Sequence, residues 1–97
     1  MNRHFFSFQV ISGVGDHPLG IAFNPVNKDM YVANEVSNTV SVIDSSTNTV
    51  ISTISFGSNS APVDIAFNPT NNDMYVTDVG LGDVSVIELS SKINLTT

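Results

Sequence analysis

The segment IAFNPVNKDMYV, Ile21 to Val32, returns as IAFNPTNNDMYV, Ile65 to Val76, and no other feature of the chain constrains its fold as tightly. The same step of 44 residues carries Val40 to Val84 and Ile43 to Ile87, so the register holds through the whole unit without a gap. Residues 17–48 and 61–92 are identical at half of their aligned positions, and the matches gather in IAFNP, DMYV and VSVI. The stretches between them differ. Conserved spacing with variable connections is what a stack of like units requires, because each unit must bury the same face against its neighbour.

A helical repeat of this length would space its apolar residues three to four apart, whereas here the spacing is two. Ile21 and Phe23 alternate with Gly20 and Ala22, Met30 and Val32 with Tyr31 and Ala33, and Val40 and Val42 with Ser41 and Ile43. Both sides of each strand carry apolar or small residues, which suits a sheet covered on two faces. A period in the forties built from such strands predicts propeller blades. The expected fold is all-β, with two four-stranded antiparallel blades whose strands A to D fall at 19–24, 29–34, 39–44 and 49–55, then 63–68, 73–78 and 83–89. Asn24-Pro25 and Asn68-Pro69 open turns, since proline presets the backbone angle of the second turn position and the asparagine side chain bonds to the backbone ahead. Ser45-Ser46-Thr47-Asn48 and Gly80-Leu81-Gly82 are turn material as well.

Shifted by the same 44 residues, Phe6 falls on Val50, Val10 on Ile54 and Gly13 on Gly57. Residues 1–12 therefore read as an orphan D strand of a preceding blade, centred on 5–11. Residues 13–56 read as the first blade, and 57–97 as the second, with Lys92–Thr97 a weak last strand. Ile21, Phe23, Val32, Val42, Ile65, Phe67, Val76 and Val86 are expected to be largely buried, Tyr31 and Tyr75 to pack between blades. Two blades do not close a ring, and an array needs about three units or polar caps to be stable. The reading thus predicts either further repeats or self-association into a ring of two, three or four chains. In the second case the orphan strand would add beside Val84–Glu88.

The chain has 97 residues, 41% of them hydrophobic and 12% charged, a balance that favours a packed core over disorder. A formal charge of −6 repels phosphate backbones and argues against nucleic acid as a partner. There is no cysteine, so neither disulfides nor thiolate metal sites contribute. No apolar run reaches the ~18–20 residues of a membrane span. The start MNRHFFSFQVISG is interrupted by Ser7, Gln9 and Ser12 and reads as a strand rather than an export signal.

Catalytic machinery would have to be assembled from His4 or His17 and the acids. The strand order places Asp16, His17, Glu35, Asp64, Asp78 and Asp83 at one rim, where the D–A and B–C loops meet. Oxygen ligands of this kind could form a weak cation site, but as loop acids they serve equally to cap turns. No EF-hand or zinc-ligand spacing is present, and no Gly-x-Ser-x-Gly elbow. His17 is replaced by Ala61 in the second unit, so nothing in the repeat requires an imidazole. No catalytic, cofactor or metal residue is therefore assigned, and no cofactor is expected. Asn94-Leu95-Thr96 is a glycosylation sequon.

The pattern P-x-x-I-A-F-N-P, then M-Y-V-x-N or M-Y-V-x-D, then V-S-V-I-D or V-S-V-I-E, resembles the YVTN-type β-propeller repeat family. It covers about residues 5–92, with the naming tetrapeptide represented by Tyr31-Val32-Ala33-Asn34 and Tyr75-Val76-Thr77-Asp78. The resemblance implies a surface-exposed or extracellular setting and rings of about seven blades, within the usual span of about 4–8. It also implies a noncatalytic scaffold for protein or cell-surface contacts. The alternative is part of a propeller enzyme or ligand-binding ring with its site near the axis.

Overall fold

The structure, a computed structural model, describes residues 5–89. The expected weak strand 92–97, His4 and the sequon lie outside them. Seven strands follow in order: β1 Pro18–Asn24, β2 Asp29–Asn34, β3 Thr39–Asp44, β4 Thr49–Ser55, β5 Pro62–Asn68, β6 Asp73–Asp78 and β7 Asp83–Ile87. β1 to β4 form one antiparallel sheet and β5 to β7 a second, neither of them closed. The fold is thus all-β, as the period of two demands, and the last strand ends two residues short of the expected 89.

Each hairpin is set by chemistry that recurs at the repeat distance. Asn24 Oδ1 accepts from Val26 N at 2.9 Å and Asn68 Oδ1 from Thr70 N at 2.9 Å, so both Asn-Pro turns are tied by the first side chain. Three residues on, Asn27 and Asn71 accept from Asp29 N and Asp73 N at 3.0 Å, while their amides donate to Tyr31 OH and Tyr75 OH at 2.9 Å. Lys28 and Asn72 close the turns with φ of 66° and 67°. The N-P-x-N-x-D-M-Y spacing is therefore one hydrogen-bonded unit.

Strand registers sort the side chains onto two faces of each sheet. In the first sheet, Ile21 lies opposite Val32, and Phe23 opposite Met30, which pairs with Ile43; these form the leading face. Ala22, Tyr31 and Val42 align on the other, trailing face, as do Ala33 and Val40. The core joins the trailing face of the first sheet to the leading face of the second: Tyr31, Ala33, Val40 and Val42 pack on Ile65, Met74 and Val76, with Ile54, Phe56, Phe67 and Ile87 at the margins. β5 lies against β1 and β2. Gly20 makes that approach possible, because a Cβ there would come within 2.6 Å of the Val63 carbonyl oxygen and 2.8 Å of Asp64 Cα.

Of the expected core, Val32, Val42, Ile65 and Val76 are buried and Phe67 is half-buried. Ile21 and Phe23 are not, at 60% and 43% exposure, nor is Val86 at 47%. These three lie on the two outer faces, which no other sheet among the described residues covers. Residues 5–11, expected as a strand, carry none: Phe5, Phe6, Phe8 and Val10 are exposed, since a lone strand has no ladder partner among the described residues. Gly13 nevertheless shares the positive φ of its repeat partner Gly57, 83° against 91°.

Candidate functional site

The expected rim exists as a place but not as a centre. Glu35 N donates to His17 O at 2.9 Å and Val36 N to Asp16 O at 3.2 Å, so the D–A and B–C loops do meet at one end of the first sheet. Val79 N to Ala61 O and Gly80 N to Ser60 O, both 3.0 Å, repeat the arrangement in the second. Asp16, His17 and Glu35 are thus brought together in one loop pair, and Asp78 and Asp83 face each other across β6 and β7. Asp64 stands apart on β5, exposed, with its Cα and Oδ1 close to Gly20 of β1. Among the described residues no three His, Asp or Glu side chains gather closely enough to hold a metal ion.

Asp78 is the unusual member. It is almost wholly buried; Ser85 Oγ donates to its Oδ2, and its Oδ1 has no partner. Burial pushes its carboxyl above the ordinary carboxylate range; the Ser85 hydrogen bond opposes the rise and Asp83 adds to it. The first unit has Asn34 here, equally buried, whose amide donates to Ser41 Oγ at 2.9 Å and Thr39 Oγ1 at 3.1 Å. Both are anchors within a sheet. At the opposite rim, burial and then the facing Asp44 raise Asp29, while the Ser46 side chain and backbone hold Asp44 low.

A residue that the repeat did not flag is Asn38, which stands where the second unit has Gly82. At φ 57° it occupies the left-handed region that Gly82 reaches at 69°. Its Oδ1 accepts from Ala61 N at 2.9 Å and from Ser60 Oγ at 3.4 Å, which ties the first sheet to the connection entering the second. The signal available in the sequence was an asparagine aligned with a glycine.

A feature open to a partner is the trailing face of the second sheet. Asp64, Ile65, Ala66, Tyr75, Thr77 and Val84 line a shallow depression of about 270 Å³ there. Val84 is 57% exposed and Val86 stands beside it. Tyr75, the repeat partner of the buried Tyr31, lies on this open face while its hydroxyl stays in the turn network. At the other end, Ile21 and Phe23 leave the inner half of the first sheet's leading face bare. The outer half is different: Val32 and Ile43 are buried although they share that face. The incoming segment is tied to the β3–β4 turn by Asn48 Nδ2 to Gln9 Oε1 at 3.0 Å and to the β2–β3 turn by Asp16 N to Ser37 Oγ at 3.2 Å. The arrangement offers apolar surfaces and turn-capping acids rather than a nucleophile with its base. No family model and no curated protein matches this chain.

Proposed function

We propose that this chain is a noncatalytic β-propeller repeat segment, of the YVTN type, that serves as a scaffold for protein or cell-surface contacts. The observation that carries the reading is the character of the B–C turns: Val36, Val79 and Leu81 are all exposed on them, at one rim, on short turns between paired strands that are hydrogen-bonded to the facing loops. Apolar side chains concentrated on such turns are what a contact surface presents, since binding then orders little that was not already ordered. The polar side chains that are buried support the same reading, because Asn24, Asn34, Ser41, Ser60 and Asp78 all take part in turn, sheet or intersheet hydrogen bonds. The test is to immobilise the chain and measure retention of purified cell-envelope proteins and polymers. Retention should fall for Val36→Ser and Leu81→Ser and persist for Ile51→Ser on the outermost strand. Turnover of ester, phosphate or glycoside substrates that Asp16→Ala or His17→Ala abolishes would overturn the proposal.

A further inference from the structure

The surfaces this molecule leaves open, the inner half of the first sheet's leading face and the trailing face of the second, are copies of surfaces that it buries. The exposed leading face of the first sheet carries Ile21, Phe23 and Met30 where the second sheet, in contact with the first, carries Ile65, Phe67 and Met74. The exposed trailing face of the second sheet carries Ala66, Tyr75, Val84 and Val86 where the first sheet buries or half-buries Ala22, Tyr31, Val40 and Val42. Since the internal contact joins a trailing face to a leading face, the unpaired trailing face is complementary to the unpaired leading face of another molecule of the same sequence. We infer that a second copy of this chain docks head to tail, its Ile21 and Phe23 entering the depression between Tyr75, Ala66 and Val84. Such a contact is heterologous, so repetition gives a closed ring or an open filament according to the rotation per copy. The inference stands on the faces alone and does not require that the rims bind anything.

Two positions set how tightly the copies meet. Thr77 replaces Ala33, and Asp64 replaces Gly20, the residue that lets β1 and β5 touch. At the corresponding place between copies the Cβ of Asp64 faces the backbone around Gly20 of the incoming chain. The strands must separate there, and a carboxylate is carried into the contact. Asp64 therefore keeps the contact between copies weaker than the one within the chain, and Asp64→Gly should strengthen it.

Sedimentation or light scattering over a concentration series tests this directly. The parent chain should exceed monomer mass by about 100 µM, and Asp64→Gly should lower the concentration needed by roughly tenfold. Ile21→Asp blocks one face and Val84→Asp the other, so each alone should be monomeric while their equimolar mixture forms a one-to-one dimer through the two intact faces. Circular dichroism and a cooperative melt establish that each variant is folded; Phe23→Ser and Val86→Ser replace any that is not. A parent chain that stays monomeric shows the faces to be taken by something other than a second copy and overturns the proposal. So does a mixture that remains monomeric, or a single variant that assembles like the parent.

Discussion

Ala61 sits at φ 50° immediately before Pro62, and His17 at 58° immediately before Pro18. A left-handed backbone costs an L-residue roughly 1–2 kcal/mol, and the geometry is held because the carbonyls of both residues accept hydrogen bonds from the facing loop. Ala61→Gly should therefore raise stability by up to about 1 kcal/mol once glycine's own backbone entropy is counted, visible as a melting point higher by a few degrees. Asp78 supplies the second prediction at this scale. Its folded carboxyl titrates above the unfolded one, so between those two values the folded state holds a proton that the unfolded state has lost. Stability from this group falls as pH rises through that window and stays reduced above it. Asp78→Asn, which copies Asn34 and lets the amide donate to Ser85, should be more stable at neutral pH by on the order of 1 kcal/mol, the cost of one poorly satisfied buried polar group. Its advantage should shrink on acidification below the raised titration point; denaturant melts of parent and variant at pH 4 and pH 7 make the comparison.

At the scale of strands, burial distinguishes residues that the repeat makes equivalent. Met74 and Val76 are enclosed between the sheets, whereas Met30 and Phe23 lie on the face that has no sheet against it. Met74→Ala should cost about 2–5 kcal/mol, the range for an enclosed side chain that leaves a cavity. Met30→Ala, the same change one repeat earlier, should cost clearly less. Equal losses in urea melts of the two variants would show that the leading face of the first sheet is covered after all. Phe67 is only half-buried, so the 3–5 kcal/mol that full enclosure of a phenylalanine would predict is an upper bound at that position.

For the whole molecule, the contact that matters is the single seam between two sheets. It depends on Gly20, which brings β1 against the backbone of β5, and on Asn38, which ties the β2–β3 turn to the connection at Ala61. Gly20→Val places a branched side chain where the Val63 carbonyl and Asp64 Cα stand, and a contact of 2.6 Å against backbone cannot be relieved by a side-chain rotation. The variant should lose the cooperative melt, with chymotryptic cleavage appearing after Phe56 in the connection at 56–61. Retention of the parent's melt and protease pattern would mean that the seam closes differently. Ile21 and Phe23 on one outer face and Val84 and Val86 on the other give the molecule two apolar sides away from the seam.

Period, strand positions and turns could be read from the amino-acid order because they are local. A spacing of two places alternate residues on opposite faces, and the Asn-Pro turns carry their own hydrogen bonds within five residues, so Asn24, Asn27 and Tyr31 act alike in both units. What could not be read was which copy of each face would be covered. Ile21 and Ile65 occupy the same place in the repeat, and only the stacking direction, trailing face onto leading face, buries the second and leaves the first bare. Residues 5–11 show the same limit: their pattern is that of a strand, but a strand needs a partner's backbone, and none within the described residues supplies it. The candidate site followed this division. Loop order brings Asp16, His17 and Glu35 near one another, whereas the bridging role of Asn38 arises only when the two sheets meet, and the opening at Tyr75 and Val84 exists because no further sheet among the described residues covers the face away from the seam.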